Sequence, residues 1–109
     1  MGRITVGHVV SITFPFLDLL NHKKRPALVV AQVDFGDLIL CQITSKPYTS
    51  THPIPLQKSD FVKGGLPLDS YIRPDKLFTA DPSIVDSIQG MVKPDTLHTV
   101  HAALRNLFV

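Results

Sequence analysis

Glutamate is absent from this chain, so every side-chain carboxylate belongs to one of nine aspartates. They are scattered, at Asp18, Asp34, Asp37, Asp60, Asp69, Asp75, Asp81, Asp86 and Asp95, and no pair comes with the oxygen-rich partners that magnesium demands. A glycine-rich phosphate loop, a Cys/His zinc spacing and a nucleophile-elbow sequence are missing as well. Metal-dependent chemistry is therefore not expected, and no cofactor is implied. Cysteine is reduced to Cys41, inside the apolar run Leu38 to Ile43; it cannot form an internal disulfide and reads as a buried thiol in a reducing compartment, with the cytoplasm as the expected location. Long hydrophobic runs are lacking too. The longest uncharged stretch, Ile4 to Leu17, is broken by His8, Ser11, Thr13 and Pro15, so no segment is expected to span a membrane, and no signal peptide is expected ahead of the fold.

What the chain has is apolar residues with little charge, 44% against 18%, which excludes disorder. At 109 residues it is long enough for one real core and too short for two, so residues 1–109 are expected to form a single domain. The net charge of +2 is unevenly spread, because Lys23, Lys24 and Arg25 are contiguous. Such a cluster either meets phosphate or solvates a loop.

Hydrophobic alternation supplies most of the elements. Gly7 to Phe14 alternates His8, Val10, Ile12 and Phe14 against Val9, Ser11 and Thr13, which predicts a strand with one polar face. Phe16 to Pro26 has no amphipathic period and reads as a long loop. Ala27 to Val33 and Leu38 to Ile43, flanking Asp34-Phe35-Gly36-Asp37, read as a hairpin. Loop follows through Tyr48 to Pro55, then a short strand at Ile54 to Leu56 and a turn at Ser59-Asp60-Phe61. Asp81-Pro82-Ser83 looks like a helical turn; Ile84 to Val92 fits a short helix or a last strand, and a strand is preferred. Lys93-Pro94-Asp95-Thr96 opens a helix, since proline suits its first turn and an aspartate complements the dipole. Leu97, Val100, Leu104, Leu107 and Phe108 give it one core-facing stripe. His98 and His101, three apart on that helix, have a spacing a metal could use, but no carboxylate or thiol accompanies them.

The chemistry concentrates in Leu66 to Thr79. Arg73 and Asp75 flank Pro74, and in extended backbone residues i and i+2 share a face, so guanidinium and carboxylate are expected on one exposed surface. Pro74 cannot donate a ladder hydrogen bond, which places this run at a sheet edge or a bulge. The pair is either a surface ion pair or part of a site. Together these elements predict a mainly β fold, a small half-open antiparallel barrel with a C-terminal α-helix.

Several pieces, in order, resemble the PemK/MazF family of toxin endoribonucleases: Gly7-His-Val-Val, Phe14-Pro15-Phe16, Lys24-Arg25-Pro26-Ala27-Leu28-Val29-Val30, Ile43-Thr44-Ser45-Lys46 and Arg73-Pro74-Asp75-Lys76-Leu77-Phe78. The resemblance implies an SH3-like barrel, a homodimer, and metal-independent cutting of single-stranded RNA to a 2′,3′-cyclic phosphate. It also implies restraint by a cognate antitoxin, with which such toxins bind DNA. In that frame Asp75 would be the base that draws the 2′-hydroxyl proton, while Arg73 and Arg25 would stabilise the crowded phosphoryl group. Thr44 and Ser45 would donate hydroxyl hydrogen bonds, or else cap a strand end. Lys46, Lys24, Tyr48 and His22 would contact the RNA, Tyr48 by stacking; Tyr71 is expected to be half-buried instead, and His52 is a second loop histidine able to move protons by type. His8 departs from the family pattern, which usually has an acid after the glycine, and leaves the pairing of the first strand open. The alternative is a barrel of the same fold that binds nucleic acid or an inhibitor peptide without cutting, or that poisons a topoisomerase by contact.

Overall fold

The computed structural model describes residues 3–13, 24–46 and 52–109. Seven strands are present among them: β1 (His8–Thr13), β2 (Lys24–Gln32), β3 (Leu38–Thr44), β4 (Ile54–Leu56), β5 (Phe61–Gly64), β6 (Ser70–Ala80) and β7 (Val85–Val92). One helix, α1 (Pro94–Leu107), follows. The strands form one sheet in the order β4-β6-β3-β2-β1-β7-β5, and every neighbouring pair is antiparallel.

Both faces of the central strands are buried. Val9, Leu28, Val30, Cys41 and Ile72 belong to one apolar cluster, whereas Val10, Ile12, Ala27, Val29 and Leu40 belong to another. Adjacent residues of one strand point to opposite faces, so the two clusters lie on the two sides of the sheet. Ala80 of β6 and Val85 of β7 come from opposite halves of the strand order yet meet in the second cluster. The sheet has therefore curled upon itself into a half-barrel. The predicted polar face of β1 is corrected by this closure: His8 and Ser11 are 7% and 5% exposed. His8 pairs with Met91 of β7, and its Nδ1 accepts the Thr5 N–H at 2.9 Å.

The β2–β3 hairpin forms as predicted, with Asp34–Gly36 as its turn. The start of β2 is a correction, since Lys24, Arg25 and Pro26 are strand residues paired to Thr13, Ile12 and Ser11 rather than loop. A further strand, β5, replaces the end of the turn expected at Ser59-Asp60-Phe61. Asp81 accepts the Ser83 N–H at 2.8 Å, which fixes the short turn before β7.

Helix α1 packs on the first cluster through Leu97, Val100 and Leu104. Its stripe ends there: Leu107 and Phe108 are 49% and 76% exposed, against expectation. Asp60 ties down its start, its carbonyl accepting the Lys93 N–H at 2.8 Å and its carboxylate the Thr96 hydroxyl at 3.4 Å. The His101 Nε2–H donates to the Val30 carbonyl at 2.9 Å, so that ring nitrogen anchors the helix to β2. Among the described residues no group of three His, Cys, Asp or Glu could hold a metal ion. Among them, too, no helix is long and apolar enough to cross a membrane.

Candidate nucleic-acid groove

The expected bulge lies in β6. Cys41 pairs with Leu77, but the next residue of β3, Gln42, pairs with Arg73, so Pro74, Asp75 and Lys76 are left out of the ladder. The cause is local, because proline has no N–H to give. This kink turns Arg73 inward, where its side chain is only 12% exposed, while Asp75 stays at 36%. The expectation that both stand on an exposed face is thus corrected for the arginine. Their Nη2 to Oδ2 distance is 3.9 Å. Next to the bulge, Cys41 is fully buried, and its thiol is pushed up to about 12, first by burial and then by the Asp75 carboxylate.

Arg73 opens onto a groove of about 810 Å³ that crosses the sheet. Its lining runs from β6 through β3 and β2 to β1 and β7. The half on β6, β3 and β2 is cationic, with Arg73, Lys46, Arg25 and Lys24, joined by the hydroxyl residues Thr44 and Ser45. The half on β1 and β7 carries Ser11, Asp86, Ser87 and Gln89, and the segment Leu66–Leu68 supplies an apolar lip. A 3.0 Å ion pair between Lys24 Nζ and Asp86 joins the halves; both ends are well exposed, so it contributes less than about 1 kcal/mol to stability.

Of the residues singled out in the sequence, Arg25, Arg73, Lys24, Thr44, Ser45 and Lys46 come together in this groove. Asp75 is not on its lining and reaches it through Arg73. The Thr44 hydroxyl oxygen accepts the Lys46 N–H at 3.1 Å, which realises the strand-end cap. Tyr71 is half-buried between Thr44 and Pro55, and His52 is exposed and not part of the lining. His22 and Tyr48 lie outside the described residues. The Leu66–Leu68 lip belongs to the stretch where the chemistry was expected, whereas sequence reasoning missed Ser11, Asp86, Ser87 and Gln89. The available signal was the three-residue step from Val85 to Ile88, which simple alternation cannot place on one face.

A curled antiparallel half-barrel with a C-terminal helix and an open, mainly cationic groove is a binding architecture for an anionic polymer. The model of the PemK-like, MazF-like toxins of type II toxin–antitoxin systems matches residues 5–108, and the chain belongs to that family. Solved structures share the fold. An endoribonuclease in complex with its cognate antitoxin from a Mycobacterial species matches with a TM-score of 0.72 at 20% identity, over 99% of this chain and 95% of that one. A MazE–MazF crystal structure from Deinococcus radiodurans matches with a TM-score of 0.74 at 19% identity, over 99% and 97%. No curated protein matches the sequence.

Proposed function

We propose that this chain, 1–109 as one domain, is the RNA-cleaving toxin of a toxin–antitoxin pair, cutting single-stranded RNA without a metal. The observation that carries the proposal is the meeting of Arg25 and Lys24 from β2, Arg73 from β6 and Lys46 from the segment after β3 in one groove of a chain that belongs to this toxin family. Phosphate recognition favours arginine, whose planar fork binds two oxygens at once.

The reaction is an internal transfer. The RNA 2′-oxygen attacks the adjacent phosphorus, a P–O2′ bond forms, the P–O5′ bond breaks, and the products are a 2′,3′-cyclic phosphate and a 5′-hydroxyl. Asp75 takes the 2′-hydroxyl proton, directly or through one water, and the 5′-oxygen gains a proton as it leaves. Arg73 and Arg25 bear the charge that grows on the phosphoryl oxygens. Burial of Arg73 makes this effective, because a guanidinium shielded from solvent interacts more strongly than one in bulk water. Thr44 and Ser45 hydroxyls and Lys46 hold the flanking backbone.

The same protein works in the cytoplasm as a homodimer, with an antitoxin segment laid over the groove so that antitoxin and RNA exclude each other. Leu68, 64% exposed at the groove's lip, gives such a segment an apolar foothold. Cleavage is expected to persist in excess EDTA, and an RNA with one 2′-deoxy sugar immediately 5′ of the scissile phosphate is expected to bind and stay whole. Loss of activity on chelation, or cutting of the deoxy substrate, overturns the mechanism. Growth arrest with intact RNA overturns the enzymatic reading itself.

A further inference from the structure

The half of the groove on β1 and β7 has no part in the chemistry above, and β7 is built there in an irregular way. Val85 and Ile88 both pack in the second core cluster although they are three residues apart. The register accounts for this. Ile12 pairs with Val85 and Ser11 with Ser87, leaving Asp86 over; Val10 pairs with Ile88 and Val9 with Gly90, leaving Gln89 over. Each surplus residue is a bulge, and bulges re-aim side chains. With Val85 and Ile88 both committed to the second cluster, Asp86 and Ser87 are consigned together to the opposite face, which is that of Ser11. Gln89 follows in the same way, and all four residues line the groove.

The second bulge is locked from the side. A Cβ on Gly90 would stand 2.7 Å from the Lys63 carbonyl oxygen and 2.8 Å from Phe61 Cδ2, and a Cβ on Gly64, at φ +71°, would collide with the Gln89 carbonyl. The Gly65 N–H donates to that same carbonyl at 3.1 Å. Gln89 is thus an exposed side-chain amide on a fixed backbone.

Charge decides which part of a polynucleotide this wall meets. Asp86, paired with Lys24 at 3.0 Å, leaves this wall without surplus positive charge, whereas Arg25, Lys46 and Arg73 on the other half attract phosphate, so the backbone lies on the cationic half and the bases turn toward β7. Unpaired bases are read on their exposed edges. A glutamine amide offers an acceptor and a donor together, the match for the N6 amine and N7 of adenine. We infer that Gln89 is a specificity-determining residue that selects a base bearing an exocyclic amine, adenine above all, at one position of the bound RNA. The inference rests on the RNA-cleaving reading of this groove.

The test compares wild type and Gln89→Ala on a pool of single-stranded RNAs of random sequence, with the cut ends sequenced. Wild type is expected to prefer adenine over uracil at one position by about 10-fold or more, and Gln89→Ala to lose about 10-fold of that preference. A second measurement uses an uncleavable 2′-deoxy oligonucleotide in which purine riboside, lacking the amine, replaces adenine. Wild type is expected to bind it about 10-fold more weakly than the adenine form, and Gln89→Ala to bind the two alike. An adenine preference unchanged in Gln89→Ala, or a wild type that prefers no amino base at any position, overturns the inference and leaves RNA cleavage standing. A wild type that cuts no RNA overturns both.

Discussion

Strands β6 and β7 bound the same groove, and both leave the regular pleat, for different reasons. In β6 three consecutive residues drop out of the ladder, and the cause is its own Pro74. In β7 two single residues drop out, and the causes lie elsewhere: the second cluster claims both Val85 and Ile88, and β5 presses against Gly90. The first deformation places a guanidinium against a carboxylate; the second lines up an amide, a hydroxyl and a carboxylate. In the proposed reading, catalytic charge and base contacts would thereby sit on separate strands, each tunable without disturbing the other.

The largest effects should fall on the cationic half. Arg73→Ala and Arg25→Ala are each expected to slow cleavage by about 10²- to 10³-fold, with Arg25→Lys only partly restoring the rate, because an ammonium cannot make the bidentate contact. Asp75→Asn should cost about 10²- to 10⁴-fold if it is the base. Single-turnover rates on one RNA, with circular dichroism to verify folding, give the comparison. Should Gln89→Ala prove as slow as Arg73→Ala on the preferred sequence, the division between the two strands fails.

Smaller effects probe the scaffold of β7. Gly90→Ala forces a methyl against the Lys63 carbonyl and the Phe61 ring and is expected to destabilise the fold by about 1–3 kcal/mol, read as a lower urea midpoint. An unchanged midpoint would mean that β5 does not hold the bulge. The smallest effect concerns His8, paired to Met91 at the far end of β7. Burial, and then the Lys63 cation, hold its imidazole below the ordinary value of 6.5. The unfolded chain therefore binds a proton more readily than the folded one, so stability is expected to fall as pH drops through about 6.5 and to level off once the folded state is also protonated. Urea midpoints at about pH 7.5 and about pH 5.5 measure the slope. His8→Asn keeps an acceptor for the Thr5 N–H and should flatten it; an equal slope in both proteins would assign the effect to another group.

The difference between the two strands also explains what could be read from the amino-acid order. The hairpin, the short β4, the bulge at Pro74 and the helix opening at Pro94 are all written by residues acting on their own backbone, and each was legible. Arg25 and Arg73 could be singled out because arginine suits phosphate, whereas Thr44 and Lys46 were singled out through the resemblance to the toxin family. Neither β5 nor the burial of both faces of β1 could be read this way, since both follow from the sheet curling to bring Ala80 and Val85 together. Asp86, Ser87 and Gln89 were hidden for the same reason. The step from Val85 to Ile88 hints that β7 leaves the regular pleat, but which side chains it re-aims is decided by the neighbours. The core-facing stripe of α1 was read one turn too long, because Leu107 and Phe108 keep the helical period after the sheet beneath them has ended.

Cys41 lies next to the β6 bulge, opposite Leu77 and within reach of the Asp75 charge, with its thiol held protonated to about 12. A thiol reagent at neutral pH meets no nucleophile in the closed molecule. Only a molecule in which the sheet has opened around β3 exposes a sulfur that can ionise and react. The alkylation rate of this one atom is consequently a clock for the opening of β3 beside the bulge. Run with and without RNA or antitoxin, that clock would report whether a ligand in the groove holds β3 in place.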